Sequence, residues 1–168
     1  MSIMIRQIVF LGIFILLGGC YFDYPLTGAI QDIDPALAGE WRDSTGEITV
    51  VVQSVGDEYR LRYTDDHATY LFDTAVILEI AGDYFLQARF FGEEQADGTL
   101  DDSPKEPPWL VLAIEIEGDR IIVRVPDTGE KFVPRELKNA QEYRSAFAAA
   151  LRRDGFLGPP MTFRKILP

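Results

Sequence analysis

From residue 48 onward, side chains on one face of an extended chain are apolar in run after run. Ile48, Val50 and Val52 interleave with Thr49, Val51 and Gln53, and Tyr59, Leu61 and Tyr63 interleave with Arg60 and Arg62. Leu110, Leu112, Ile114 and Ile116 share a face, with Glu115 and Glu117 on the other. Ile121, Val123 and Val125 repeat the scheme with Arg120 and Arg124 outside. Period two is the signature of half-buried antiparallel strands. Gly-Asp pairs at 56–57, 82–83 and 118–119 each separate two such runs. Glycine first in a two-residue loop supplies the positive φ of a type II′ turn, so three hairpins and a β-meander over residues 47–125 are predicted. If residues 69–81 form one bent strand, parity puts all three turns at one end of the sheet. The connections 65–68, 92–108 and 126–130 then gather at the other end. A true turn at Asp73-Thr74 would break that parity.

The period changes to 3.6 near the C-terminus. Ala140, Tyr143, Phe147, Ala150 and Leu151 form a stripe, Asn139 and Glu142 make a capping pair, and Arg152 and Arg153 suit the C-terminal dipole. Gly155 can end this helix, and after Pro159-Pro160 residues 161–167 read as a last strand.

Leu37-x-Gly39-x-Trp41 heads the meander. Together with the single late helix, this motif resembles the lipocalin-like barrels across residues 37–166. The resemblance implies a mostly β fold: an antiparallel meander closing into a lipocalin-like barrel of eight or nine strands, with one C-terminal amphipathic helix. It also implies that Trp41 plugs the closed end and that the interior can carry a cavity. Closure would hide the sheet edges.

The first residues are organised differently. Residues 1–7 are polar-leaning with Arg6 as their charge, residues 8–17 are apolar except Gly12, and Leu17-Gly18-Gly19-Cys20 follows. This is the layout of a secretory leader, and the apolar run is too short to span a bilayer. The tetrad resembles the lipobox of bacterial lipoproteins, which implies cleavage after Gly19 and a diacylglyceryl group on the Cys20 thiol. The rival reading is an ordinary secretory leader ending in a chance cysteine. The expected organisation is a leader over 1–19, a lipidated tether over 20–36 containing Pro25, Gly28 and Pro35, and a barrel domain over 37–168. Tyr21 stands where an aspartate retains lipoproteins in the inner membrane of enteric-type bacteria. If the source has two membranes, that implies residence in the outer one, facing the periplasm.

Removing 19 residues from 168 leaves 149, enough for one core. Losing Arg6 with the leader takes the net charge from −11 to −12. So acidic a surface repels phosphate backbones, which argues against nucleic acid as a partner. Cys20 is the single cysteine, so the fold has no disulfide to hold it.

Candidate chemistry is sparse. His67 is the single histidine, between Asp66 and Ala68, and no Gly-x-Ser-x-Gly accompanies it. A hydrolase would need His67 buried beside a serine and a carboxylate. One histidine and no free thiol cannot supply the usual zinc ligands. The segment 92–108 holds Glu93, Glu94, Asp97, Asp101, Asp102 and Glu106 without EF-hand spacing, and reads as a solvated loop. No cofactor or metal is therefore expected. Tyr59, Leu61, Tyr63, Leu86, Ala88, Phe90, Trp109 and Leu110 are core residues by default. If the barrel is hollow, Tyr59, Tyr63, Leu86, Phe90 and Trp109 are the candidate ligand contacts.

The expected function is non-enzymatic. The protein would be anchored to a membrane through Cys20 and would bind a small apolar ligand in the barrel. The alternative is an envelope interaction or assembly module with a solid core. Asp65, Asp66, Glu93, Glu94, Asp97, Asp101, Asp102 and Asp127 would make the long-loop end acidic. Such an end favours a neutral or cationic ligand, or a basic protein partner, over a free fatty acid.

Overall fold

The computed structural model describes residues 21–22, 24–95, 97–102, 109–127, 129, 131–134 and 137–167. The leader and Cys20 lie outside the described residues. The strands are β1 (Tyr21–Phe22), β2 (Ala29–Ile30), β3 (Gly39–Asp43), β4 (Thr49–Val55), β5 (Glu58–Thr64) and β6 (Thr69–Ile80). They continue as β7 (Asp83–Glu94), β8 (Leu100–Asp102), β9 (Trp109–Glu117), β10 (Arg120–Arg124) and β11 (Met161–Lys165). Among the described residues there is one α-helix, α1 (Ala140–Ala150).

Eight of the strands close into an antiparallel barrel in the order β3-β4-β5-β6-β7-β9-β10-β11, with β11 returning to β3. β1, β2 and β8 add to its flanks, on β9, β6 and β7 respectively. The period-two runs do what their pattern dictates. Val50, Leu61, Leu86, Leu110, Val123 and Phe163 point inward from six different strands and join Trp41 in one core.

The barrel closes with its parity intact because the Asp73-Thr74 irregularity is a bulge, not a turn. Asp73 pairs with Arg89 and Val76 with Gln87, so β6 carries one residue more than β7 over that stretch. Thr74 takes the extra position at φ 51°, a left-handed geometry that bulges accommodate. The extra residue lets Phe72 and Ala75 both face inward and turns Leu78 and Ile80 outward. β6 therefore runs unbroken, and Gly56, Gly82 and Gly118 all lie at one end of the barrel.

One hairpin differs in detail from the expected II′ turn. Ile80 pairs with Asp83, so the two loop residues are Ala81 and Gly82 rather than Gly82 and Asp83. Both have positive φ, 58° and 93°, which is the type I′ requirement. Holding alanine there costs about 1–2 kcal/mol against glycine.

Residues 24–36, within the expected tether, lie along the barrel wall. Leu26 is buried, its N–H donating to Gln87 Oε1 at 2.6 Å. Gln31 N–H donates to the Ile77 carbonyl at 2.9 Å, and Asp34 N–H donates to the Tyr59 hydroxyl at 2.7 Å. Helix α1 packs outside the barrel. Its buried Tyr143, Phe147 and Ala150 meet Leu78, Ile80, Phe85, Val111 and Ala113, the outward residues of β6, β7 and β9. The Asn139 side chain caps it, accepting from Glu142 N–H at 3.0 Å, while Glu142 Oε2 accepts from Lys138 N–H.

Candidate functional site

The barrel interior is unevenly filled. Trp41, paired with Val50 on one side and with Lys165 beside the Gly118-Asp119 turn on the other, is 1% exposed, and its indole N–H donates to the Leu37 carbonyl at 2.9 Å. Lys165 lies across that ring, its Nζ 5.4 Å from the centroid and donating to the Ala36 carbonyl at 2.5 Å. Gly39, at φ 138°, leaves room for it: a Cβ there would meet Lys165 Cε at 2.9 Å. That end is closed.

Toward the other end, volume is left over. A cavity of about 140 Å³ is lined by Ile48, Val50, Leu61, Tyr63, Asp65, Phe72, Leu86, Leu110, Leu112, Val123, Val125, Met161 and Phe163. Ile48 precedes β4, Asp65 follows β5, Val125 follows β10 and Met161 opens β11, so the space sits under the long connections. Its wall is aliphatic and aromatic apart from the Tyr63 phenol and the Asp65 carboxylate. A dry apolar cavity of about 150 Å³ holds a benzene-sized guest, whereas drug-sized ligands need roughly 300 Å³ or more.

The Tyr63 and Tyr70 rings lie 5.7 Å apart at this end, tilted by 54°. Burial pushes the Tyr63 phenol well above its ordinary range, and the nearby Asp65 carboxylate adds to the rise. Tyr70 is pushed up to about 12 by burial first, then by Asp65 and Glu93. Both phenols are therefore neutral at any physiological pH. Asp43, at the same end, stays ionised well below neutrality. Burial works to raise its carboxyl, but hydrogen bonds from Thr45 and from the Ile48 N–H outweigh that and lower it.

Of the residues the pattern nominates as ligand contacts, Tyr63 and Leu86 line the cavity. Tyr59 is in the same core but lies outside the lining, held to Asp34. Phe90 faces inward and packs on Phe72 at 5.7 Å between centroids, without lining the space. Trp109 is a correction. β9 sends Leu110 and Leu112 inside, so Trp109 faces the opposite way and packs in the outer cluster under α1. Most of the remaining wall, from Ile48, Val50 and Leu61 to Val123 and Val125, comes from the alternating runs; Phe72, Met161 and Phe163 lie outside them. Asp65 carries no such signal, because it belongs to a loop.

His67 lies in the 65–68 loop with its side chain 42% exposed and Nε2 3.2 Å from Asp66 Oδ1. Within the acidic segment, β8 pairs with residues 92–94 of β7, and the Asp97 carboxylate accepts from Thr99 N–H. Among the described residues no cluster of histidine, cysteine, aspartate and glutamate is placed to hold a metal ion. Comparisons with models of known families, with curated proteins and with solved structures returned no match.

Proposed function

We propose that this protein is a lipid-anchored envelope lipoprotein that binds a small apolar molecule in the open half of a lipocalin-like barrel and catalyses no reaction. The cavity carries the reading. A solid core would favour an interaction module, whereas here apolar surface from seven strands faces an unfilled space. Its volume limits the guest to something near a single six-membered ring, or the end of a longer chain. Toluene is a suitable probe. Calorimetric titration of the full chain should give saturable binding, and Leu112→Phe, which puts a ring into the same space, should weaken it at least about tenfold. Overpacking costs ~1–3 kcal/mol, so a denaturant melt confirms that the variant folds. A folded wild-type protein that shows no saturable toluene binding overturns the proposal.

Anchoring at Cys20 rests on the leader and lipobox pattern, and the fold gives it a consequence. Tyr21 pairs with Leu110, itself part of the cavity wall, so a lipid one residue earlier would hold that wall near the membrane with no long spacer. In a two-membrane host the protein should fractionate with the outer membrane, and Cys20→Ser should release it. Inner-membrane residence of the wild type would refute the sorting, and membrane retention of the variant would refute the anchor.

A further inference from the structure

We infer that the guest carries a positive charge: the site is built for a small apolar amine, with its ring or short chain in the cavity and its ammonium at Asp65. This deepens the binding proposal above and rests on it.

Among the described residues, Asp65 is the one charged residue in the cavity wall. Its backbone and one carboxylate oxygen are taken up by the turn: Asp65 N–H donates to the Ala68 carbonyl, and Oδ1 accepts from His67 N–H at 2.9 Å and Ala68 N–H at 3.1 Å. Among the described residues nothing bonds to Oδ2. The turn thus fixes the carboxylate of a cavity-lining residue through one oxygen, and the other is taken up by no described residue. Tyr63, two residues earlier on the same face, sets an aromatic ring beside it. An aromatic face and a carboxylate together are the two groups that attract an ammonium in a poorly hydrated site.

The surroundings have the same sign. The neighbouring acids differ from Asp65 in that none of them lines the cavity: Asp43 holds Thr45 and Ile48, Asp66 lies against His67, and Glu93 accepts from Gln95. Among the described residues, three basic groups of this end are engaged elsewhere. Arg62 pairs with Glu94 at 2.7 Å, Lys131 pairs with Asp127 at 2.8 Å, and Arg124 points to the barrel exterior, donating to the Gly158 carbonyl. Among the described residues a carboxylate guest would enter this field with no cation in the cavity wall to receive it, which separates this site from one for fatty acids.

The test compares three guests of one shape on the full chain: toluene, benzylammonium and benzoate. Benzylammonium should bind at least about tenfold more tightly than benzoate. Asp65→Asn keeps the Oδ1 acceptor that the turn needs and removes the charge. It should erase that preference. If toluene binds but benzylammonium does no better than benzoate, the amine inference is wrong while the apolar site stands. It is equally wrong if Asp65→Asn keeps the preference. If none of the three guests binds the folded wild type, the binding proposal itself fails, and this inference fails with it.

Discussion

Replacing Trp41 by alanine is expected to cost the fold about 3–5 kcal/mol, the range for emptying a large buried aromatic site. The expectation follows from position. Trp41 is the largest side chain in the inner core, 1% exposed, and it packs between Val50 and Lys165 on the strands to either side. Neighbouring strands cannot collapse into the vacated space, because a closed eight-stranded sheet fixes its own diameter. The indole N–H bond to Leu37 adds a smaller contribution of about 1 kcal/mol, which Trp41→Phe should isolate. Domains of this kind are stable by only about 5–15 kcal/mol, so the alanine variant should melt far earlier in denaturant. A loss below about 1 kcal/mol would mean that the ring is not a plug.

Much of the barrel is legible in the chain because strand alternation is a local property. Runs such as Leu110-x-Leu112-x-Ile114 carry their own inside and outside, and tight Gly-Asp loops fix where each run reverses. Trp41 is legible for a similar reason, as part of a short motif at the head of the meander. Details that depend on one extra residue are harder to see. Thr74 shifts the face of every later residue in β6 by one place, yet nothing about a threonine after an aspartate announces a bulge. The same half-step separates the Ala81-Gly82 loop from the expected Gly82-Asp83, since a I′ turn takes glycine second and a II′ turn takes it first.

The site is less legible than the fold. Tyr63 and Leu86 follow from the alternation, and the same alternation puts Trp109, beside inward Leu110, on the outer face. The cavity itself is a remainder, left after side chains from seven strands have packed, and no single run encodes it. Asp65 matters only because the loop after β5 brings it back to that space. The N-terminal segment shows the same limit. Gln87 is a buried polar residue on the outer face of β7, and what satisfies it is the backbone of Leu26, 61 residues away. Proline and glycine composition suggests a tether there, but local composition says nothing of so distant a partner.

The helix stripe announces a buried face without saying what it covers, and the structure places that face on the outside of the barrel. Phe147→Ala is therefore expected to cost about 3–5 kcal/mol while leaving toluene affinity unchanged. Phe147 is fully buried, edge-on to Phe85 at 5.1 Å and 84° and to Phe156 at 5.1 Å and 83°. Each such aromatic pair is worth ~0.5–1.5 kcal/mol beyond the area it buries. Removing this ring uncouples α1, Phe156 and the N-terminal Leu26 from the sheet at once, because all of them meet in one cluster. The cavity lies on the other side of β9, where Leu110 and Leu112 point inward while Val111 and Ala113 face the helix layer. One thickness of sheet separates the two cores. The losses at Trp41 and Phe147 should therefore add to within about 0.5 kcal/mol in the double variant, as they do for sites without shared partners. A denaturant melt and a toluene titration on the same samples decide the matter. Weakened binding in folded Phe147→Ala would show that the helix layer shapes the cavity through the sheet. A stability loss below about 1 kcal/mol would show that α1 lies outside the cooperative unit.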